Sequence, residues 1–159
     1  MKLLFVCMGN ICRSPTAKAV FDRHLQQANL TDIVYTESAG THGYHVGEPP
    51  DHRAQSVALE TGIDISRDLS RQLKANDFFQ FDIILVMDER NRENALRMAP
   101  QGAKASLKLI MDYAPDYGLR EVPDPYYGGD EGFTRVLDML DHAAQALITD
   151  LKRQLASTK

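Results

Sequence analysis

The sequence predicts a single α/β domain built around a parallel sheet. Short apolar runs that suit buried strands alternate with segments whose apolar residues recur at helical spacing. Such an alternation is typical of a doubly wound sheet whose strands all run in the same direction. The chain has 159 residues and shows no repeat, linker or low-complexity segment. We therefore expect residues 1–159 to form one domain with a substantial core.

The first strand is predicted over residues 2–6, where an apolar run suits a buried strand. A helix is predicted over residues 15–28, because its apolar side chains recur at helical spacing. Ser14 suits the N-cap of this helix, and Pro15 suits its first position. Residues 33–36 are rich in β-branched side chains and predict the second strand.

A Gly- and Pro-rich loop over residues 41–51 follows the second strand. The next helix is predicted over residues 51–61, with Gly62 ending it. Residues 73–79 predict a short helix. The third strand is predicted over residues 81–87, and its unbroken apolar run is typical of a central strand covered on both faces.

Asp88 suits the N-cap of a helix over residues 89–99. The last strand is predicted over residues 106–110, and a Pro- and Gly-rich loop over residues 114–132 follows it. The final helix, residues 132–156, carries one continuous apolar stripe that should face the core. In doubly wound domains ligands bind at the carboxyl ends of the strands, so the loops that follow the strands should converge there.

Composition and charge exclude several classes of function. The net charge of −4 argues against nucleic acid or an anionic membrane as the main partner. No segment is long and apolar enough to insert into a bilayer, and the apolar start is interrupted too early for a signal peptide. The two cysteines are too few and too close for a disulfide scaffold, so we expect a cytoplasmic protein. The five histidines show no metal-ligand spacing, and we expect neither a metal nor a cofactor.

The turn between the first strand and the first helix, residues 6–15, suits a tetrahedral oxyanion such as phosphate. Backbone N–H groups in such a turn point inward, and the helix behind them adds positive potential. Arg13 adds a planar fork of donors for two phosphate oxygens. Cys7 would lie beneath the phosphorus, where this potential favours the nucleophilic thiolate. Gly9 allows close backbone approach, and Asn10 tolerates a left-handed conformation.

Four motifs in one order along the chain carry a family resemblance. They are Cys7-Met8-Gly9-Asn10-Ile11-Cys12-Arg13-Ser14, Ser38-Ala39-Gly40-Thr41, Met87-Asp88 followed by Asn91, and Asp124-Pro125-Tyr126-Tyr127. These motifs resemble those of the low-molecular-weight protein tyrosine phosphatases, and the resemblance covers essentially the whole chain. It implies a four-stranded parallel sheet with helices on both faces. It also implies hydrolysis of phosphotyrosine in proteins, and of small aryl phosphates, through a phosphocysteine intermediate.

The same resemblance implies roles for the residues of the first motif, which we call the signature loop (residues 7–14). Cys7 would be the nucleophile and Arg13 the phosphate clamp. Ser14 would stabilise the thiolate, and Asn10 would shape the loop. The loop residues expected to contact the substrate are Met8, Gly9, Asn10, Ile11, Cys12 and Ser14. A cysteine at a strand end is by itself usually a small buried hydrophobic residue, so the surrounding loop decides this interpretation.

A general acid is needed to protonate the leaving oxygen, and the same group could then activate water. Asp124 is the candidate, since the flanking prolines fix the backbone and remove nearby N–H donors that would keep the carboxylate too acidic. An Asp before Pro is otherwise a common turn residue. The family resemblance places the general acid at this Asp.

Three side chains are expected to shape the entrance for a flat aryl group. Ile11, Tyr44 and Tyr126 would line it, although the two tyrosines could also be ordinary exposed loop residues. In many relatives a His supports the loop Asn from the position that Asp68 occupies here, so the support of Asn10 is open. Asp88 is at least as well explained as a helix cap as by any catalytic role.

Other functions remain as alternatives. Arsenate reduction is one, since related thiol reductases use a similar loop. Those reductases that pass oxidation on intramolecularly need further cysteines far from the loop, and this chain has none beyond Cys12. An arginine phosphatase of the same family is associated with Thr at the position of Ile11, so Ile11 favours tyrosine. A non-catalytic anion-binding domain would be expected to lack the nucleophile or the acid. The expected partners are phosphotyrosine-containing proteins, and we expect a monomer or a weak dimer.

Overall fold

The computed structural model describes residues 1–157, and this part of the chain contains a four-stranded parallel sheet. The strands are β1 Lys2–Cys7, β2 Tyr35–Gly40, β3 Ile83–Val86 and β4 Ser106–Leu109. They lie in the order β2-β1-β3-β4, and every neighbouring pair is parallel. The predicted α/β fold with a four-stranded parallel sheet is confirmed.

Helices cover both faces of this sheet. They are α1 Arg13–Gln27, α2 His52–Glu60, α3 Asp77–Gln80, α4 Glu89–Met98 and α5 Asp130–Ser157. Side chains alternate across β1, as strand geometry requires. Leu3 and Phe5 pack in a core with α1 and α5, whereas Leu4 and Val6 pack in a second core with α3 and α4. The central strand is therefore buried on both sides, as an unbroken apolar run predicts.

Two helices begin with a side-chain cap, and the one at Asp88 was predicted. The Asp51 carboxylate accepts the backbone N–H of Arg53 at the start of α2. The Asp88 carboxylate accepts the N–H of Asn91 at the start of α4, and the Asn91 side chain accepts the N–H of Asp88 in return. Gly62 follows α2 with φ of +84°, the left-handed conformation that favours glycine after a helix.

The predicted start of the first helix is wrong. Helix α1 begins at Arg13, its N-cap is Cys12, and no side chain caps it. The Ser14 hydroxyl instead contacts the sulfur of Cys7 and the side chain of Asn10. Polar groups at the end of β1 have therefore displaced the local capping interaction that the sequence suggested.

The second strand also lies later than predicted. Strand β2 runs over Tyr35–Gly40 rather than over residues 33–36, because Ser38, Ala39 and Gly40 pair with the last residues of β1. Pairing along a buried neighbour overrides the weak strand propensity of these small residues.

Pairing with β2 and packing also moved three other boundaries. The N–H of Leu73 donates to the carbonyl of Gly40, so this segment is extended and only α3 is helical there. The predicted third strand is shortened to β3, since the N–H of Phe81, just after α3, still bonds to the carbonyl of Asp77. Residues Ile110–Tyr113 form a 3₁₀ turn after β4, and the predicted loop contains a second one at Pro115–Tyr117.

The carboxyl ends of the strands meet at one edge of the sheet. Cys7 at the end of β1 lies opposite Gly40 at the end of β2, and Asp88 follows β3 at the same edge. A Cβ on Gly40 would lie 2.7 Å from the carbonyl oxygen of Met8. The close approach of these two chain segments therefore requires glycine at this position.

Candidate active site

The signature loop wraps around the sulfur of Cys7. The Cys7 Sγ is buried, accepts the N–H of Asn10 at 3.3 Å and lies 3.0 Å from the Ser14 hydroxyl. Asn10 has φ of +58°, the left-handed conformation expected for it. Two polar contacts to one sulfur suit a group that carries negative charge.

Asn10 is the hub of the hydrogen bonds behind this loop. Its side-chain amide donates to Ser14 Oγ at 2.7 Å and to Ser38 Oγ at 3.0 Å. Its carbonyl oxygen accepts the backbone N–H of Arg71 at 3.0 Å. These partners hold Asn10 in place from three directions. Asp68, which stands where many relatives have a His, is half-buried beside α1 and is not among them.

Arg13 crosses the site from the start of α1 and is almost fully buried. Its Nη1 donates to the carboxylate of Asp88 at 2.5 Å and to the carbonyl of Val122 at 3.0 Å, and its Nη2 lies 3.6 Å from the Asp124 carboxylate. Burial favours the neutral form, but the charges of Cys7, Asp88 and Asp124 hold the pKa of Arg13 above its usual value. Asp88 therefore caps α4 and also anchors Arg13.

Asp124 meets this site from the long segment that follows β4. Its carboxylate accepts the backbone N–H of Tyr126 at 3.0 Å, which closes a turn around Pro125. The expectation that the flanking prolines leave Asp124 without a local N–H donor is therefore wrong. Pro125 removes the nearest donor, but the N–H one residue further on reaches back to the carboxylate.

One pocket brings most of the predicted site residues together. It is lined by Cys7, Met8, Gly9, Ile11, Cys12, Arg13, Tyr44, His45, Asp124, Tyr126 and Tyr127. Asn10 and Ser14, predicted as substrate-binding, lie behind it and contact Cys7 instead. His45 and Tyr127 were not predicted, although each directly follows a predicted residue in the sequence.

Aromatic rings surround the mouth of this pocket. Tyr44 is 70% exposed and stacks on His42, with ring centroids 5.0 Å apart. Tyr126 packs edge-on against Tyr127, with centroids also 5.0 Å apart. Ile11 supplies an apolar wall further in. A flat aryl group entering the pocket would meet aromatic rings and the apolar side chain of Ile11.

Cys12 differs from Cys7 although both lie in the same loop. Burial, followed by the negative charge of Cys7, raises the pKa of the Cys12 thiol well above its usual value. Cys12 is therefore a protonated thiol at neutral pH and a poor nucleophile.

Within residues 1–157, no group of three His, Cys, Asp or Glu side chains is arranged to hold a metal ion. No helix in this part of the chain combines the length and apolar character needed to cross a membrane.

A family model described as low molecular weight phosphotyrosine protein phosphatase matches residues 2–157. The chain belongs to this family. The human low molecular weight phosphotyrosine protein phosphatase is 40% identical over 148 residues, which are 92% of each chain. The predicted resemblance and enzyme class are therefore confirmed.

Two crystal structures from the same fold family are informative. A protein tyrosine phosphatase from Entamoeba histolytica, with Hepes in its active site, matches with a TM-score of 0.92 and 42% identity, covering 97% of this chain and 98% of that one. An arginine phosphatase from Drosophila matches with a TM-score of 0.90 and 31% identity, covering 96% and 98%. The fold therefore serves two named phosphatase specificities.

Proposed function

We propose that this protein hydrolyses phosphotyrosine in proteins through a covalent phosphocysteine intermediate on Cys7. The observation that carries this function is the convergence of Cys7, Arg13 and Asp124 in one pocket, although they come from distant parts of the chain. A nucleophile, a phosphate clamp and a proton donor are the groups that this reaction requires.

In the first step the Cys7 thiolate attacks phosphorus, and an S–P bond forms as the P–O bond to the tyrosine breaks. The backbone N–H groups of the signature loop and the Arg13 guanidinium stabilise the charge on the equatorial oxygens. Protonated Asp124 gives its proton to the departing phenolate oxygen, so that tyrosine leaves as the neutral phenol.

In the second step water attacks the phosphorus of the phosphocysteine, and the Asp124 carboxylate takes a proton from this water. The P–S bond breaks, inorganic phosphate is released, and Cys7 returns as a thiolate. Negative charge on the sulfur is stabilised by the N–H of Asn10 and by the hydroxyl of Ser14. No cofactor is needed to balance either step.

The walls of the pocket favour an aryl substrate. Ile11 and the rings of Tyr44 and Tyr126 would pack on a tyrosine ring, whereas a charged guanidinium would lose hydration against Ile11. We further propose phosphotyrosine-containing proteins as partners, a cytoplasmic location that keeps both free cysteines reduced, and a monomer or weak dimer.

The test compares Cys7→Ser and Asp124→Ala with Asp116→Ala, which alters an exposed carboxylate in the 3₁₀ turn Pro115–Tyr117. Cys7→Ser should abolish turnover yet still bind the phosphate analogue vanadate or tungstate. Asp124→Ala should reduce kcat/KM for phosphotyrosine peptides by about 10²–10³-fold, and much less for p-nitrophenyl phosphate, whose leaving group needs little protonation. Substantial turnover by Cys7→Ser, or equal losses with both substrates for Asp124→Ala, would contradict the mechanism.

A further inference from the structure

Asp124 lies on a segment with few constraints of its own. Residues 122–129, which we call the acid segment, read Val-Pro-Asp-Pro-Tyr-Tyr-Gly-Gly. The N–H of Val122 bonds to Met87 at one end, and the N–H of Gly128 closes a turn on the carbonyl of Pro125. The two prolines lack N–H donors, and the two glycines are conformationally free. The position of Asp124 therefore depends on contacts from outside the segment.

Arg53 supplies such contacts from the first turn of α2. Its Nη2 donates to the carbonyl of Tyr126, and its Nη1 donates to the carbonyl of Gly128, both at 2.9 Å. The guanidinium also lies over the ring of Phe133, 4.6 Å from the centroid, and near the ring of Tyr126. One planar group therefore holds two points of the turn that follows Asp124.

Arg53 is itself held firmly relative to the signature loop. Its Nε and Nη2 both bond to the carboxylate of Asp51 at 3.1 Å. The backbone N–H of Asp51 donates to the carbonyl of Ile11 at 2.8 Å. A continuous chain of bonds thus joins the signature loop, through Asp51 and Arg53, to the acid segment.

This chain of hydrogen bonds ends at Tyr126, whose N–H binds the Asp124 carboxylate. Tyr126 donates its N–H to Asp124 and accepts a bond from Arg53 at its carbonyl. Any shift of Tyr126 would therefore move the carboxylate relative to Cys7. Proton transfer is sensitive to such shifts, because the acid must lie within hydrogen-bond reach of the leaving oxygen.

We propose that Arg53 is a positioning residue that sets the distance between Asp124 and the sulfur of Cys7. This inference rests on the proposed role of Asp124 as general acid. Arg53 lies outside the group of side chains that line the pocket and acts through the backbone of the acid segment. Its loss should therefore impair protonation of the leaving group and leave the attack of Cys7 largely intact.

The experiment measures kcat/KM for a basic leaving group, phenyl phosphate, and for an activated one, p-nitrophenyl phosphate. Arg53→Ala should lower the value for phenyl phosphate by about 10–100-fold and should change that for p-nitrophenyl phosphate far less. The ratio of the two values is independent of the fraction of active enzyme, so partial unfolding cannot imitate this result. Arg153→Ala, at an exposed position near the end of α5, is the matched control and should leave the ratio unchanged.

A double variant separates positioning from a merely structural role. If Arg53 acts through Asp124, Arg53→Ala should cause little further loss with phenyl phosphate when Asp124 is already Ala. Arg53→Lys should recover part of the ratio, because one ammonium can reach only one of the two carbonyls at a time.

Four results would overturn the inference, and the last of them would also contradict the proposed function. Equal losses with both substrates for Arg53→Ala, or losses that multiply in the double variant, would show that Arg53 does not act through Asp124. A full recovery of the kcat/KM ratio in Arg53→Lys would show that the two simultaneous bonds from the Arg53 guanidinium are not needed. If Asp124→Ala itself shows no dependence on the leaving group, the role of Asp124 fails, and the inference fails with it.

Discussion

The signature loop and the acid segment carry complementary parts of the site, yet they are held in different ways. The signature loop is buried, and its polar groups are bonded to one another and to neighbouring strand ends. The acid segment lies at the surface, where Tyr127 is 86% exposed, and long side chains from other elements hold it. The proposed nucleophile, Cys7, is thus held by bonds within its own loop and from neighbouring strand ends, whereas the proposed proton donor, Asp124, lies on a segment that side chains from other elements hold.

This difference indicates how each half of the reaction should respond to mutation. Loss of the hydrogen bonds that hold the signature loop should lower activity with every substrate, because all phosphate esters present the same oxygens to the loop. Damage to the acid segment should depend on the leaving group, because only a basic leaving oxygen needs the proton. Substitutions at Asn10, Ile11 and Asp68 test this difference.

The largest effect is expected when the signature loop loses the side chain of Asn10. Asn10→Ala removes buried hydrogen bonds to Ser14, Ser38 and Arg71 and places Ala at a φ of +58°. We expect kcat/KM to fall by about 10²-fold or more, equally for phenyl phosphate and p-nitrophenyl phosphate. The matched control is Asn29→Ala, since Asn29 has the same φ at the exposed end of α1. A loss of kcat/KM in Asn10→Ala that is much larger for phenyl phosphate than for p-nitrophenyl phosphate would contradict the proposed difference between the two regions.

A smaller effect is expected at Ile11, the residue of the signature loop that supplies the apolar wall of the pocket. Ile11→Thr should shift the ratio of kcat/KM values for phosphoarginine and phosphotyrosine peptides about tenfold toward phosphoarginine, because it makes an apolar wall polar. Ile33→Thr, at an exposed position outside the pocket, serves as the control. A wild-type protein that already prefers phosphoarginine peptides would contradict the substrate assignment while leaving the cysteine mechanism intact.

The smallest effect is expected at Asp68, which is half-buried beside α1. Burial raises the pKa of Asp68, so its charge opposes folding at neutral pH and the cost fades as the pH falls through the folded-state pKa. Asp68→Asn should raise the free energy of unfolding at pH 7 by less than about 1 kcal/mol, with no gain near pH 3. Activity should stay within about twofold, because Arg71, Ser14 and Ser38 already hold Asn10. A large loss of activity would show that the loop depends on Asp68.

Unfolding in urea at pH 7 and pH 3 measures the stability change at Asp68. The sign is the informative part, since a carboxylate held by a stabilising partner would give the opposite result. A decrease in stability at pH 7 would mean that Asp68 makes a favourable interaction in the folded state.

Local patterns in the sequence were enough to predict the fold class and the signature loop. Strands and helices alternate with clear periods, and Asp88 and Gly62 lie at the helix ends where they were expected. The signature loop could be predicted because its backbone donors, Cys7 as the proposed nucleophile and the left-handed Asn10 are adjacent in the chain. Backbone geometry over a few residues gives such a loop its inward-facing N–H groups, while Ser38 and Arg71 from distant segments hold Asn10 in place.

Contacts between distant segments decided the rest. Ser14 suits a helix cap by local rules, but the buried sulfur of Cys7 and the amide of Asn10 bind its hydroxyl instead. Two further contacts join residues that are far apart in the chain. Arg13 pairs with Asp88, and Arg53 donates hydrogen bonds to the acid segment. Neither contact follows from sequence spacing, because only the folded sheet edge brings these groups within reach. Local sequence therefore indicated the signature loop, while tertiary packing set the position of Asp124 relative to it.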